Sequence, residues 1–228
     1  MKAMILAAGR GERMRPLTDH IPKPLLMAGG KPLIVWHIER LVHAGITDLV
    51  INHAHLGAQI EQALGNGSRF GATIRYSDEG TALETAGGIA FALDMLGDEI
   101  FAVVNGDIYC DYEFSHLPAV AAQMQRDQGT VHLVLVNNPP HHPNGDFGMN
   151  GKRVTDIAPR FTFSGIGLYR AELFAHIPRG TKAPLAPLLR AQIALGKVSG
   201  ELHAGRWVDV GTPQRLEELD LQLRSVSP

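Results

Sequence analysis

The residues near the amino terminus combine glycine with a high density of positive charge. Gly9 and Gly11 follow a short apolar run. Four basic residues lie in the same connection: Arg10, Arg13, Arg15 and Lys23. Glycine lets a ligand approach the backbone closely, and backbone N–H groups can then point at an anion. Because the guanidinium fork of arginine matches phosphate oxygens, this spacing predicts a phosphate-binding loop.

Two common phosphate motifs do not match this loop. A dinucleotide fingerprint needs a small residue where Met14 stands, and an acidic residue where the second strand ends in Asn52 and His53. A Walker A loop needs lysine followed by serine or threonine, whereas Lys31 is followed by Pro32. An ordinary strand–turn–helix connection with a solvated basic face explains the glycines alone. It explains poorly why four basic residues share one connection.

Two aspartates lie where a metal ion bound to phosphates could use them. Asp107 follows the apolar run 101–104, and ligands bind beyond the carboxyl ends of strands in open α/β sheets. Asp209 is the one acidic residue of the apolar segment 207–210, which is costly unless the carboxylate is paired or binds metal. Mg²⁺ on substrate phosphates typically takes one or two protein carboxylates. A turn at the strand end is the competing explanation for Asp107, and the residues alone do not decide between them.

Two histidine pairs could suggest zinc, namely His53 with His55 and His141 with His142. The first pair has no third ligand type nearby in the sequence, and the second consists of adjacent histidines between prolines, which lack the spacing of a chelate. Polar residues at the end of a strand and a solvated loop are the favoured explanations.

Alternating strands and helices position these residues in the first part of the chain. We expect strands at 4–6, 48–53, 72–76 and 101–104, with helices at 31–44, 56–64 and 89–96. This alternation up to about residue 127 predicts an α/β fold with a doubly wound parallel sheet. The segment 85–88, Thr-Ala-Gly-Gly, is expected to close a loop at a helix start and to expose backbone N–H groups to a base or an anion.

The pattern changes after residue 127. We expect strands at 131–136, 153–157, 162–169 and 198–203, a hairpin at Asn150-Gly151, and helices at 171–176, 187–195 and from Pro213 onward. The prediction is one domain over residues 1–228, with one half at 1–127 and a second half at 128–228.

Composition limits the classes of partner and compartment. The chain of 228 residues has 21 basic and 23 acidic residues, a balance that argues against nucleic acid or a membrane as the main partner. Cys110 is the only cysteine, so no disulfide forms within the chain, which suits a reducing compartment. The first residues do not match a signal peptide, and no run approaches the ~20 apolar residues of a membrane span. We expect a cytoplasmic protein, either a monomer or a homo-oligomer.

The segment LAAGRGERMRPLT, followed by PKPL, resembles the signature of the sugar-1-phosphate nucleotidyltransferases. The resemblance implies the GT-A-like fold of that family, a doubly wound, mostly parallel Rossmann-like sheet with a small antiparallel sheet on the substrate side. It also implies the reaction, in which a sugar 1-phosphate oxygen attacks the α-phosphorus of a nucleoside triphosphate and pyrophosphate leaves. Nucleoside triphosphate and sugar 1-phosphate are then the partners, and Mg²⁺ is the cofactor. The resemblance makes 1–127 the nucleotide-binding half and 128–228 the sugar-binding half.

The resemblance further implies roles for individual residues. Arg13 and Lys23 would be the catalytic cations, and Asp107 and Asp209 the metal ligands. The nucleotide-binding positions would be Ala8, Gly9, Arg10, Gly11, Arg13, Lys23, Glu79 and Gly88. The sugar-phosphate positions would be Asn105, Asp146, Ser164 and Gly165.

This chain departs from the family pattern at two places. Glu84 stands where the family motif L-G-T-A-G has its glycine, so the base contacts of that motif are not carried over. Family members often bind the sugar phosphate with the lysine of a Glu-Lys-Pro triplet, but residues 156–160 read DIAPR. The contact to that phosphate must therefore come from elsewhere.

Within the family, the short chain and segments such as NHAHLG, LETAGGI, HHPNGDF and TFSGI most resemble a uridylyltransferase branch of bacterial cell-wall recycling. That likeness implies UTP and N-acetylmuramate α-1-phosphate as substrates. Transfer of UMP, dTMP or GMP to glucose, N-acetylglucosamine, mannose or heptose phosphates stays open. A sensor that binds sugar nucleotides without catalysis is the alternative of another class.

Overall fold

A single nine-stranded mixed sheet runs through the computed structural model, which describes residues 1–226. In sheet order its strands are β5 (Thr73–Asp78), β4 (Asp48–His53), β1 (Ala3–Leu6), β6 (Phe101–Asn105), β11 (Arg160–Tyr169), β8 (Val131–Val136), β12 (Val198–His203), β10 (Arg153–Thr155) and β9 (Phe147–Asn150). Two small sheets pair β2 (Met27–Ala28) with β3 (Lys31–Pro32) and β7 (Ile108–Cys110) with β13 (Trp207–Asp209).

The strand directions divide the main sheet. Strands β5, β4, β1 and β6 are parallel, as are β8 and β12, whereas β11 is antiparallel to β6, β8 and β9. The predicted α/β class is confirmed. The antiparallel strands expected on the substrate side are present, but they continue the main sheet instead of forming one of their own. The reason is β11, which pairs with β9 near its start and with β6 near its end, so the two predicted halves share one sheet.

Helices cover both faces of the sheet. They are α1 (Leu33–His43), α2 (Gly57–Leu64), α3 (Glu84–Phe91), α4 (Leu93–Leu96), α5 (Leu117–Arg126), α6 (Leu185–Ala194) and α7 (Pro213–Val226). Side chains of α1, α2 and α5 share one apolar cluster, whereas those of α3, α4 and α6 share a second cluster. Along β1, Ile5 belongs to the first cluster and Met4 to the second, as expected for a strand buried on both faces.

A third apolar cluster lies under α7. Leu216 and Leu219 of this helix pack with Met14, which is fully buried, and with Leu26 and Leu33. The final helix therefore supports the segment that follows the two loop glycines.

Most predicted strands lie where the sequence places them, and those at 48–53, 131–136 and 198–203 match to the residue. Two helix predictions are wrong. The helix expected at 89–96 begins at Glu84 and is interrupted after Phe91, since packing of its glycines overrides their low helix propensity. The helix expected at 171–176 is a single 3₁₀ turn, Ala171–Leu173. Pro178 follows so closely that too few residues remain to offset helix nucleation.

None of the helices within residues 1–226 is both long enough and apolar enough to cross a membrane.

A buried histidine joins α1 to the strand that follows Asp107. The Nε2 atom of His37 lies 2.8 Å from the carbonyl oxygen of Ile108, and the residue has no solvent exposure. Burial lowers the pKa of His37 to about 4, although the bond to Ile108 acts in the opposite direction. The neutral ring is therefore the form that the folded protein accepts.

We expect His37 to make the free energy of unfolding depend on pH. Because its pKa is lower in the folded protein, its contribution is complete above about pH 6.5 and is lost as pH falls toward 4. Between these pH values the free energy of unfolding of the wild type should fall by up to about 3 kcal/mol more than that of His37→Gln. The glutamine side chain cannot take up a proton in this range. Urea unfolding at pH 7.5 and 4.5 measures it. His43→Gln, at an exposed position of the same helix, is the control; equal pH slopes for both variants would contradict this prediction.

Candidate active site

Three adjoining cavities open at the carboxyl ends of β1, β4, β5 and β6. The glycine-loop cavity, of about 420 Å³, borders Gly9, Gly11 and Lys23. The aspartate cleft, of about 360 Å³, borders Asp107 and Asp209. The Phe147 pocket, of about 470 Å³, borders Phe147, Asp146 and Leu185. Asn105, the last residue of β6, lines all three, so they form one continuous depression. Connections leave β1 and β6 in opposite directions here, which is where open α/β sheets bind ligands.

The glycine loop has a defined conformation. Gly11 has a φ of 66°, which favours glycine, and a Cβ there would lie 3.0 Å from Thr18 Cγ2 and 3.2 Å from Lys23 Cβ. The hydroxyl of Thr18 donates to the carbonyl of Gly11 at 2.8 Å. The loop therefore needs glycine at position 11 both for its backbone angle and for the space that Lys23 occupies.

Most of the predicted nucleotide-binding residues line the glycine-loop cavity: Ala8, Gly9, Gly11, Arg13, Lys23 and Glu79. Arg10 is exposed and is not among the lining residues. Gly88 lies inside α3, where a Cβ would come within 2.4 Å of Glu79 Oε1. Its contribution is thus to let the Glu79 side chain approach the helix.

Asn52 is a lining residue that sequence reasoning missed. Its Oδ1 accepts from the Ala7 backbone N–H at 2.8 Å, and its Nδ2 donates to Glu79 Oε1 at 2.6 Å. The other oxygen of Glu79 accepts from the Leu83 N–H at 2.9 Å. Burial raises the pKa of Glu79, while these hydrogen bonds act against the rise. Asn52 thus ties the start of the glycine loop to the wall of the cavity; a polar residue ending an apolar strand was the available signal.

The structure contradicts part of the prediction for the segment 85–88, because two of its backbone N–H groups are already bonded within the protein. It forms the first turns of α3, and the N–H groups of Ala86 and Gly87 donate to the carbonyl of Ala183 at 3.0 and 3.1 Å. A Cβ on Gly87 would lie 2.4 Å from the Thr181 carbonyl oxygen. The glycines therefore allow residues 181–183 to pack against the helix, and those two amides are occupied.

Strand pairing brings the two predicted metal ligands together. Asp209 in β13 is paired with Ile108 in β7, and the N–H of Val210 donates to the carbonyl of Asp107 at 3.1 Å. Each carboxylate also has a cationic partner. Lys23 Nζ lies 2.7 Å from Asp107 Oδ2, and Arg215 Nη1 lies 2.7 Å from Asp209 Oδ2.

The two aspartates fit a magnesium ion by their chemistry. Both border the same cleft, both offer hard carboxylate oxygens, and the ion pair of each uses only Oδ2. One or two carboxylates plus substrate phosphates are what Mg²⁺ typically takes. The assignment of Asp107 and Asp209 as metal ligands remains a prediction that this arrangement supports.

Two of the predicted sugar-phosphate residues, Asp146 and Ser164, make hydrogen bonds within the protein. Asp146 lines the Phe147 pocket, but its Oδ2 accepts from the Phe163 N–H at 2.7 Å and its Oδ1 lies 3.1 Å from His142 Nε2. The hydroxyl of Ser164 donates to the Val134 carbonyl at 2.7 Å, inside a bulge of β11. These bonds give both residues a structural function, and a contact with sugar stays a prediction.

Gly165 acts through its neighbour. It has a φ of 85°, and a Cβ there would lie 2.7 Å from Asn105 Cγ. Gly165 is not among the residues that line the cavities, whereas Asn105 lines all of them. The glycine therefore makes room for the asparagine.

Glu84 occupies the left-handed backbone region, with a φ of 61°. It lines both the glycine-loop cavity and the Phe147 pocket, and its side chain is exposed. A residue other than glycine pays about 1–2 kcal/mol for this conformation. The chain thus retains a strained residue at the junction of two cavities, where the resembling family has glycine.

In most helix positions alanine gives a more stable protein than glycine, and we expect the strain at residue 84 to reverse this order. Glu84→Gly should have a free energy of unfolding about 1 kcal/mol higher than Glu84→Ala, although alanine is normally favoured by a similar amount. Urea unfolding of the ligand-free variants measures the difference, and Glu84→Gln controls for the lost charge at the helix start. A more stable alanine variant would show that residue 84 is not strained.

Comparison with known proteins agrees with this geometry. The family model described as Nucleotidyl transferase matches residues 2–225. The N-acetylmuramate alpha-1-phosphate uridylyltransferase of Neisseria meningitidis serogroup B is 53% identical over 225 residues, which cover 96% of each chain. The enzyme of the same description from Caulobacter vibrioides is 36% identical, over 93% of this chain and 92% of its own.

More distant relatives share the same core. A mannose-1-phosphate guanyltransferase of Hypocrea jecorina is 32% identical, over 94% of this chain but only 62% of its own. The crystal structure of HddC from Yersinia pseudotuberculosis, complexed with GMP-PN, superposes with a TM-score of 0.80 at 18% identity, covering 97% of this chain and 98% of that one. The structural likeness supports the fold, and the full-length family match confirms the resemblance found in the sequence. The chain belongs to the nucleotidyl transferase family, among the sugar-1-phosphate nucleotidyltransferases.

Proposed function

We propose that this protein transfers UMP from UTP to N-acetylmuramate α-1-phosphate, giving UDP-N-acetylmuramate and pyrophosphate. The observation that carries the proposal is the 53% identity to the uridylyltransferase from Neisseria meningitidis, which extends over 96% of both chains. The cleft supports it, because the aspartate pair borders a cleft that shares Asn105 with both the glycine-loop cavity and the Phe147 pocket.

The glycine loop would hold the triphosphate. Arg13 lines both the glycine-loop cavity and the aspartate cleft, so its guanidinium can reach phosphates at their junction. Lys23 is only 6% exposed and lies beside Gly11, with its amine at Asp107. A lysine held in this way has a small range of positions, which favours stabilisation of charge that develops as the α-phosphate is attacked.

The acceptor would need no general base, since the phosphate of a sugar 1-phosphate is already ionised at neutral pH. The protein would then act by orienting two phosphates and offsetting their charge. Asp107 and Asp209 would hold Mg²⁺, which supplies positive charge between the two phosphates when bound. Asn105, which borders all three cavities, would be in reach of both substrates.

The sugar would occupy the Phe147 pocket. N-acetylmuramate carries a carboxylate on its lactyl group, so its site must accept one more negative charge than a site for N-acetylglucosamine. Arg190 lines this pocket and offers a cation, while Asp146 and the loop 141–147 border it. Asp146 would accept a hydroxyl of the sugar through oxygen lone pairs that its present bonds leave open.

A grid of substrates tests the proposal directly. Purified protein with Mg²⁺ is offered UTP, dTTP or GTP against the 1-phosphates of N-acetylmuramate, N-acetylglucosamine, glucose and mannose, and pyrophosphate release is measured. We expect the highest kcat/KM with UTP and N-acetylmuramate 1-phosphate. Faster turnover of glucose or mannose 1-phosphate would keep the family and reject this sugar. Binding without turnover in every combination would favour a sugar-nucleotide sensor.

The aspartate pair provides a second prediction. Asp107→Ala and Asp209→Ala should each lower kcat by roughly 10²-fold or more. Each variant would lack a carboxylate that binds Mg²⁺, whose positive charge would stabilise the transition state. Circular dichroism and melting temperature check that both variants fold. Asp111→Ala is the matched control, since Asp111 follows β7, pairs with His203 at 2.8 Å, and is not among the residues lining the three cavities. Wild-type turnover of either cleft variant at saturating Mg²⁺ would reject the metal assignment.

A further inference from the structure

Two guanidinium groups converge at Gly211, next to the aspartate cleft. A Cβ at this glycine would lie 2.6 Å from Nη2 of Arg215 and 3.2 Å from Nη2 of Arg13. Like charges repel each other, and the carboxylate nearest to the same point is that of Asp209, whose Oδ1 would lie 3.1 Å from that Cβ. The local surplus of positive charge is the kind of arrangement that an anion stabilises.

The position of Arg215 in the fold does not explain its presence. It is the third residue of α7, and a cation in the first turn of a helix is disfavoured by the helix dipole. Its side chain is nevertheless only 18% exposed, and its Nε lies 3.3 Å from the Thr212 hydroxyl. An arginine held at an unfavourable place is better explained by a ligand than by helix stability.

The contacts of Arg215 direct it to the aspartate cleft. Its Nη1 lies 2.7 Å from Asp209 Oδ2 and 2.8 Å from His141 Nε2, and both partners line that cleft. His141 Nε2 is itself 3.3 Å from Asp209 Oδ2. Arg215 therefore links the start of the last helix to the loop that borders the sugar side.

We propose that Arg215 binds the phosphate of the sugar 1-phosphate, assisted by His141 and Arg13. The inference rests on the proposed function, because it assumes a sugar 1-phosphate in this cleft. Among residues 1–226, the aspartate cleft and the Phe147 pocket have no lining lysine that could replace the lysine of the family's Glu-Lys-Pro triplet. Arg13 lines the cleft, and Arg215 reaches it through its contacts with Asp209 and His141. The planar fork of arginine suits two phosphate oxygens at once.

The ion pair with Asp209 explains how the positive charge of Arg215 is compensated when no phosphate is bound. A divalent cation held by Asp209 would take up part of the negative charge of that carboxylate and so weaken its pairing with Arg215. The guanidinium would then lose one partner and keep its Nε near Thr212, which leaves Nη1 and Nη2 for phosphate. Lys23 stands in the same relation to Asp107, with the triphosphate as its other partner.

The competing explanation is that Arg215 only orients Asp209. An orienting residue would change kcat or the concentration of Mg²⁺ needed, and would leave the affinity for the acceptor unchanged. A phosphate-binding residue would change the affinity for any sugar 1-phosphate and spare UTP. The two explanations therefore differ in measurable constants.

The experiment uses Arg215→Ala and Arg215→Lys in the full chain. We expect KM for N-acetylmuramate 1-phosphate to rise at least about tenfold in Arg215→Ala, with a smaller rise in Arg215→Lys and KM for UTP within twofold of wild type. Arg224→Ala is the matched control, since Arg224 lies on the same helix and pairs with Asp220 at 2.8 Å. The melting temperature of each variant checks its fold.

A binding measurement removes the dependence on turnover. Isothermal titration with N-acetylmuramate 1-phosphate and with glucose 1-phosphate, in the presence of Mg²⁺ and a non-hydrolysable UTP analogue, should show the same loss of affinity in Arg215→Ala for every sugar phosphate that the wild type binds. Unchanged affinity together with a lower kcat would overturn the inference and leave the proposed function intact. Failure of the wild type to bind either sugar phosphate would reject the proposed function, and this inference with it.

Discussion

The candidate site depends on the pairing of two three-residue strands. Strand β7 directly follows Asp107, and β13 ends with Asp209, so the pairing joins the middle of the chain to its last quarter. The bond from the Val210 N–H to the Asp107 carbonyl fixes the two backbones next to the carboxylates. The buried ring of His37 also holds β7 in place, through its hydrogen bond with the backbone carbonyl of Ile108. Without this small sheet nothing would hold Asp209 next to Asp107, and the aspartate cleft would lack its pair of carboxylates.

Charge in the cleft is balanced by two ion pairs, and in one of them the cation is far more buried than its partner. The amine of Lys23 is nearly inaccessible to solvent, whereas Asp107 is about half exposed. Removing a charge from water costs several kcal/mol unless a partner is close, so Asp107 makes the buried lysine tolerable. Asp209 and Arg215 form the corresponding pair on the other side of the cleft. Each carboxylate is thus already paired with a cation in the protein. A charged ligand that enters the cleft would replace one partner of such a pair, so no side chain would have to be buried as an unpaired charge.

The features that could be predicted from the sequence are those that depend on neighbouring residues alone. Apolar runs located the buried strands, and glycine with arginine located the loop, because backbone freedom and guanidinium geometry are properties of single residues. Contacts between distant segments were harder. Strand β7 has three residues, too few for a periodic pattern, and its partner lies almost a hundred residues away. Arg215 was missed for the same reason, since nothing in the final helix indicates that Asp209 and His141 will face it. The start of α3 was misplaced because its glycines resemble a loop until residues 181–183 pack on them.

The third apolar cluster also has a consequence for the order in which the protein can mature. Met14 anchors the glycine loop against Leu216 and Leu219, and the Gly29 N–H donates to Asp220 Oδ1 at 2.8 Å. Because Met14 precedes Leu216 and Leu219 by most of this sequence, the loop emerges from the ribosome long before the helix that supports it. A ribosome-bound chain that already contains the central strands therefore lacks the apolar contacts that hold Met14, and the glycine loop becomes fixed only once α7 has left the exit tunnel. Truncated products would be left without this support.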